Sequence, residues 1–198
     1  MLVPSAAASA ETVVKASRFL SRIDPIADQE EVKTIVAGLR EEHPGAVHVV
    51  WAYIWGKDRS VFGYSDDREP KGTAGRPVFE VLKGSGISNA LLTVVRYFGG
   101  TKLGTGGLVR AYTDAAKAVL EQTETEERVD MRTMDISLDY GVFERIKLRL
   151  SELGGKLKDE RFGEHVSLSL DIPAENEEEW IRDINDITSG RVHIEDSR

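Results

Sequence analysis

Hydrophobic and polar positions follow two different periods along this chain, and each period predicts a type of element. After Asp28, apolar residues recur at i, i+3, i+4 and i+7, which predicts a helix that ends at His43-Pro44-Gly45. Residues 46–55 alternate between two largely apolar faces, which predicts a strand buried on both sides, with residues 59–64 returning beside it. The same patterns predict strands at residues 12–24 and 89–98, and helices at residues 77–83 and 107–122.

The pattern restarts beyond residue 130. Residues 123–130 are acidic with a single valine, so we expect them to form a linker. Strict alternation, helical spacing and turn residues then predict the element order βαββαβ, which is the ferredoxin-like arrangement. We therefore predict an α+β fold of two domains, with residues 1–125 in the first and residues 131–198 in a ferredoxin-like second domain.

Composition and charge narrow the class of protein. The chain has no cysteine, which excludes a disulfide framework, a thiolate nucleophile and a zinc site built on cysteine. No apolar stretch is long enough to span a membrane, and the N-terminal residues do not resemble a secretory signal, so we expect a cytoplasmic protein with no membrane partner. The formal net charge is −8, yet residues 65–117 carry eight basic and five acidic side chains, a net charge of +3. An anionic partner would be met there.

The glycine-rich stretch at residues 96–110 is the first candidate site. Its glycines permit positive φ, which we expect at Gly99, Gly104 and Gly106, and successive N–H groups ahead of a helix can hold an anion. The spacing matches neither nucleotide-binding glycine motif, so an anion site and a purely structural turn are equally open. The candidate residues are Arg96, Tyr97, Phe98, Gly99, Gly100, Lys102, Gly104, Gly106, Gly107 and Arg110.

A second candidate site precedes the helix expected at residues 77–83. Asp66, Asp67 and Glu69 could hold a hard cation such as Mg²⁺ or supply a general base, although a solvated acidic turn is the commoner arrangement. His48 could carry a proton or bind a ligand, although a hydrogen-bonded core histidine is commoner. The neighbouring candidates are the basic residues Lys71 and Arg76. We expect no cofactor, and no metal is assigned.

These motifs together resemble those of the YigZ/IMPACT family, with an Impact N-terminal domain followed by a C-terminal domain of the bacterial YigZ type. One residue departs from the family pattern, because Arg68 stands where the family usually has glycine in its D-D-G-E-P turn. The resemblance rests on Ala46-Val47-His48 with Trp51-Ala52-Tyr53, on Ser65-Asp66-Asp67-x-Glu69-Pro70-x-Gly72-Thr73-Ala74-Gly75-x-Pro77, and on Arg96-Tyr97-Phe98-Gly99-Gly100-x-Lys102-Leu103-Gly104-x-Gly106-Gly107-Leu108-Val109-Arg110-Ala111-Tyr112.

The resemblance carries expectations about fold and partners. It implies an N-terminal domain similar to domain IV of elongation factor G and to a small-subunit ribosomal protein, whose loops face nucleic acid. It also implies a C-terminal domain similar to domain V of that factor. Eukaryotic IMPACT proteins regulate translation by binding a partner that activates the amino-acid-starvation kinase. They carry an additional N-terminal domain, and we expect this chain to have no room for it. The resemblance implies no catalytic residue.

Two functions are open at this point. The first is a non-enzymatic, translation-associated regulator that binds RNA, the ribosome or a translation-associated protein through the loops of its N-terminal domain, with Tyr97, Phe98 and Tyr112 available for stacking. The second is a phosphate-handling or metal-assisted hydrolytic enzyme that uses the glycine-rich loop with Asp66, Asp67 and Glu69. Convergence of these groups in one concave pocket would favour the enzyme, and an outward basic surface would favour binding.

Overall fold

The computed structural model describes residues 1–196, and the chain folds as two compact units, Met1–Arg128 and Val129–Arg198. The expected linker at residues 123–130 is wrong in part. Thr125–Glu127 form a strand that pairs antiparallel with Leu2–Pro4 at the N-terminus, so most of this stretch belongs to the first unit. The acidic composition of the stretch suits an exposed strand as well as a linker, because all three of its residues are exposed.

The first unit contains seven strands and three helices. Its main sheet has the order β2-β3-β6-β4-β5, and every neighbouring pair is antiparallel. The elements are β1 (Leu2–Pro4), β2 (Ala8–Val14), β3 (Ser17–Pro25), α1 (Glu31–Glu42), β4 (His48–Trp55), β5 (Val61–Ser65), α2 (Gly75–Gly84), β6 (Ala90–Tyr97), α3 (Gly104–Glu121) and β7 (Thr125–Glu127).

The single strand expected at residues 12–24 is a hairpin of β2 and β3. The turn is made by Lys15 and Ala16, whose φ values are 47° and 64°. Neither residue has the glycine or asparagine chemistry that usually indicates such a turn, so the pattern shows one continuous strand where there are two.

Helices cover both faces of the main sheet. α2 and α3 pack on the face that carries Val50, Ala52 and Ile54 of β4, and α1 packs on the opposite face, which carries Val49. The prediction that both faces of this strand are buried is therefore confirmed. Because the strand is apolar on both sides, it can only lie in the interior of a three-layer domain.

The antiparallel register brings the two candidate sites to one end of the sheet. His48, at the start of β4, pairs with Arg96 near the end of β6, and Trp51 pairs with Ser65 at the end of β5. The acidic loop follows β5 and leads into α2, while the glycine-rich loop follows β6 and leads into α3. Both helices therefore begin at the same end of the sheet.

The second unit shows the predicted order βαββαβ. Its four strands form an antiparallel sheet in the order β11-β8-β10-β9, and its helices bury Ile146, Leu150, Trp180 and Ile184 in the core. No helix in the described part of the chain is long and apolar enough to cross a membrane. The elements are β8 (Met131–Leu138), α4 (Phe143–Glu152), β9 (Lys156–Phe162), β10 (Val166–Pro173), α5 (Glu177–Thr188) and β11 (His193–Asp196).

Candidate functional site

Asp66 closes the acidic loop on itself. Its carboxylate accepts hydrogen bonds from the backbone N–H groups of Gly72 (2.8 Å), Ala74 (3.1 Å) and Gly75 (2.8 Å), at the start of α2. Ala74 and Gly75 carry amides that a helix leaves without intrahelical partners, so Asp66 caps α2 from a distance, while the bond from Gly72 closes the loop before the helix. A Cβ atom at Gly75 would lie 2.5 Å from the carbonyl carbon of Ser65, which explains the glycine there.

Asp67 joins the loop to two other elements. Its carboxylate accepts hydrogen bonds from the backbone N–H of Val49 in β4 (2.6 Å) and from the guanidinium of Arg40 in α1 (2.8 Å). Burial by itself would raise the pKa of Asp67, but the hydrogen bonds from Arg40 and Val49 outweigh it and hold the pKa below its ordinary value. The carboxylate is therefore ionised and already bound by the protein.

Glu69 is the centre of a buried polar network. Its Oε1 accepts hydrogen bonds from Nη1 of Arg96 (2.6 Å) and from the hydroxyl of Tyr112 (2.7 Å). Only 3% of the Glu69 side chain and 6% of the Arg96 side chain are exposed. Burial, reinforced by the charge of Glu69, raises the pKa of Tyr112, so its phenol stays neutral and serves as a donor.

His48 completes this network. Its Nδ1 lies 2.7 Å from the carbonyl oxygen of Asp67, which can only accept, so Nδ1 carries the proton and donates. Nε2 lies 3.7 Å from Oε1 of Glu69. His48 is thus a hydrogen-bonded histidine that anchors the acidic loop to β4.

Asp66, Asp67 and Glu69 do not converge on a shared cation, which is the less common of the two arrangements open from the sequence. Each carboxylate points to a different set of protein donors, and the described residues contain no group of three or more His, Asp or Glu side chains that could hold a metal ion. The enzyme hypothesis loses the convergent carboxylates on which it depended.

The turn between these carboxylates is left-handed. Asp67 and Arg68 have φ values of 41° and 69°, a region that costs an L-residue about 1–2 kcal/mol and glycine almost nothing. The departure from the family pattern noted at Arg68 therefore falls at a position where glycine is favoured by the backbone. The side chain itself projects outward and is 76% exposed.

Replacing Arg68 by glycine should raise the free energy of unfolding by up to about 1 kcal/mol, because relief of left-handed strain exceeds the added entropy of the unfolded chain. Urea denaturation followed by circular dichroism measures the change. Arg76→Gly, which removes an exposed arginine from the first turn of α2, should instead destabilise the protein. A loss of stability in Arg68→Gly would show that the left-handed turn is not strained.

The glycine-rich loop is packed against the β2–β3 turn. The N–H of Gly99 donates to Oγ of Ser17 (3.1 Å), and a Cβ atom at Gly99 would lie 2.1 Å from the carbonyl carbon of Ala16. Positive φ occurs at Gly100 (86°) and Gly104 (74°), whereas the expectation of positive φ at Gly99 and Gly106 is wrong. Close backbone approach, not φ, requires the glycine at position 99.

Cations and one aromatic ring face outward around this buried network. Phe98 is 49% exposed, and its ring centre lies 5.8 Å from the guanidinium carbon of Arg96. The hydroxyl of Tyr97 shares a hydrogen bond with Nδ1 of His43, and Tyr112 is fully buried. Of the three aromatic residues expected to stack, Phe98 is therefore the one with an exposed ring. Exposed basic side chains at this end of the sheet include Arg68, Lys71, Arg76, Lys102 and Arg110.

Two contacts of the site were not predicted from the sequence. Arg40 lies in the last turn of α1 among other charged residues, so no pattern distinguished it as the partner of Asp67. Tyr112 belongs to the apolar stripe of α3, which correctly predicted burial but not its hydrogen bond to Glu69. The signal for Tyr112 was a hydroxyl on a buried stripe, which requires a polar partner.

Known proteins resemble this chain over almost its full length. The Impact N-terminal domain matches residues 15–120, and a domain of unknown function, DUF1949, matches residues 136–191. An IMPACT family member from Haemophilus influenzae is 34% identical over 98% of this chain and 95% of its own length, and the Escherichia coli family member YigZ is 33% identical over 98% and 96%. The crystal structure of a hypothetical protein, 33% identical, superposes with a TM-score of 0.69 over 98% of this chain and 95% of the other. This chain therefore belongs to the IMPACT family.

Proposed function

We propose that this protein is a non-enzymatic, translation-associated regulator that binds RNA, free or in the ribosome, in the cytoplasm. The binding surface is the set of outward side chains at the end of the sheet where α2 and α3 begin, here called the loop surface. It consists of Arg68, Lys71, Arg76, Phe98, Lys102 and Arg110.

The observation that carries the proposal is the separation of charge between inside and outside. The carboxylates of the acidic turn point inward and are held by Arg40, Arg96 and backbone amides. Cations of the acidic loop and of α2 and α3 point outward. Arg76 and Arg110 are 68% and 86% exposed, and each lies 3.9 Å from an exposed carboxylate of its own helix, Glu80 or Asp114. The acidic loop thus turns its three carboxylates inward and leaves its own cations, Arg68 and Lys71, exposed, which suits a phosphate backbone.

The family resemblance supports the same partner. It implies a likeness to domain IV of elongation factor G and to a ribosomal protein, whose loops face nucleic acid, and eukaryotic members of the family regulate translation. The net charge of −8 keeps non-specific affinity for nucleic acid low. Binding therefore depends on the few cations of the loop surface and falls as salt screens them.

Binding of a short single-stranded RNA should show a salt slope of roughly −1.4 to −2.8 in log affinity against log salt, corresponding to about two to four phosphate contacts. Lys102→Ala should weaken the complex, reduce the magnitude of the slope by about 0.7, and leave stability almost unchanged, because Lys102 is exposed. Fluorescence anisotropy at several salt concentrations measures both quantities. Lys156→Ala, which removes an exposed lysine from the second unit, is the matched control and should change neither.

Two outcomes would contradict the proposal in different ways. Absence of RNA binding would defeat its nucleic-acid form and direct the search to a translation-associated protein partner, identified by a pull-down from lysate with and without nuclease. Tightening of nucleotide binding by Mg²⁺, abolished in Asp67→Asn, would contradict the non-enzymatic assignment, because Mg²⁺ should only compete as a counterion.

A further inference from the structure

A groove lined by aromatic rings lies on the α1 face of the first unit, apart from the loop surface. It encloses about 580 Å³ between α1 and β4 and is open to solvent. The residues that carry the argument are Lys33 and Arg40 of α1 and Trp51 and Tyr53 of β4. We call this feature the aromatic groove.

The two rings form a flat floor. Trp51 and Tyr53 are two residues apart on one face of β4, and their planes are inclined by 26° with centroids 6.1 Å apart. A Cβ atom at Gly63 of β5 would lie only 2.7 Å from Cε1 of Tyr53, so the ring lies flat across the backbone of the edge strand. One side of this ring covers Gly63, and the rest of the half-buried ring lines the groove.

The wall of the groove is formed by α1 and carries two exposed cations. Lys33 and Arg40 are seven residues apart, a separation of about 10 Å along a helix. The 2.8 Å hydrogen bond to Asp67 orients the guanidinium of Arg40 beside the acidic loop. The residue after Asp67 is Arg68, which belongs to the loop surface. The groove also contains Glu30, and the charge of Arg40 is shared with Asp67, so Lys33 and the adjoining loop surface are the cations that a phosphate would meet.

We propose that the aromatic groove stacks nucleobases of a single-stranded RNA whose backbone crosses the loop surface, an inference that rests on the proposed function. Flat aromatic side chains on a sheet face, with cations beside them, are the usual platform for unpaired bases. A groove of this volume accommodates one or two nucleotides. Proline-rich peptides also pack on aromatic side chains, but the exposed Lys33 beside the rings and the adjoining basic loop surface favour an anionic partner.

The test compares an eight-uridine oligomer with an abasic oligomer of equal length and phosphate number. The wild-type protein should bind the uridine oligomer about tenfold more tightly, since base–aromatic stacking is lost with the bases. The uridine oligomer alone should quench tryptophan fluorescence. Trp180 is fully buried in the second unit and should not respond, and Trp51→Phe, which keeps Trp55 and Trp180, should lose the quenching.

Variants assign the preference to the groove. Trp51→Leu should abolish the preference for uridine while leaving abasic affinity and its salt slope unchanged, and Trp51→Phe should retain it. Lys33→Gln should weaken binding of the uridine oligomer more than that of the abasic one. The control is Lys117→Gln, which removes an exposed lysine from α3 on the opposite face of the sheet and should change neither affinity.

Each other outcome overturns the inference. Equal binding of both oligomers by the wild-type protein removes the groove from RNA recognition but leaves the proposed function intact. Binding of neither oligomer defeats both together. A proline-rich peptide that binds through Trp51 when RNA does not would assign the groove to a protein partner. If the Trp51 variants do not fold, the wild-type comparison and its fluorescence still decide.

Discussion

Replacing Arg96 by methionine should lower the free energy of unfolding by about 3–5 kcal/mol. The guanidinium neutralises Glu69 in a site from which water is almost excluded, and methionine fills similar space without charge or donor. The variant would leave a buried carboxylate with only Tyr112 and, at 3.7 Å, His48 beside it. Removing one member of a buried pair is costly because the other charge remains uncompensated.

Urea denaturation followed by circular dichroism measures this loss. The double variant Arg96→Met/Glu69→Gln should be more stable than Arg96→Met alone, because the neutral amide removes the uncompensated charge and can still accept from Tyr112. Arg110→Met is the matched control, since Arg110 is 86% exposed, and it should leave stability almost unchanged. A value for Arg96→Met within about 1 kcal/mol of the wild type would contradict the cost of leaving the Glu69 carboxylate buried without its cation.

Replacing Gly99 by alanine should destabilise the protein by about 3 kcal/mol or more. The new methyl group would overlap the backbone of Ala16 and Ser17, at 2.1–2.3 Å. Overlap with backbone cannot be relieved by a rotamer change, so the β2–β3 turn or the glycine-rich loop must move. The movement would also break the hydrogen bond from Gly99 N–H to Ser17.

Gly106→Ala is the matched control for this substitution. A Cβ atom at Gly106 would meet nothing within 4 Å, and the residue lies in the first turns of α3 without a positive φ. Alanine there should be neutral or stabilising by up to about 1 kcal/mol. Thermal unfolding of both variants tests the contrast, and equal effects at the two positions would contradict the close approach at Gly99.

Much of the secondary structure follows from local pattern. The alternation at residues 46–55 and the apolar run at residues 89–98 predicted β4 and β6, because a strand exposes successive side chains to opposite faces. The expected helix at residues 107–122 begins earlier in the structure, at Gly104, since glycine is a poor indicator of a helix start. The turn at Lys15 and Ala16 and the strand at Thr125–Glu127 were missed because neither carries a local signal of its own.

The contacts of the candidate site are of two kinds, those between residues close in sequence and those between distant residues. The partners of Asp66 lie six to nine residues away, and its capping of α2 belongs to the local acidic-turn interpretation that the sequence already favoured. Glu69 bonds to Arg96 and Tyr112, which are 27 and 43 residues away. No local pattern relates such residues, so the composition D-D-x-E left a cation site open as the less common alternative.

The sequence by itself determined the family, the strand and helix pattern on which the two-domain division rests, and the positions of the two candidate loops, because these depend on local periodicity and on short motifs. Only the tertiary structure decided which charges of those loops are available to a partner. The antiparallel register of β4, β5 and β6 places both loops at one end of the sheet. There the carboxylates accept hydrogen bonds from donors inside the protein. The Lys and Arg side chains of the loop surface are long enough to keep their charged ends in water, and so they avoid the cost of burial.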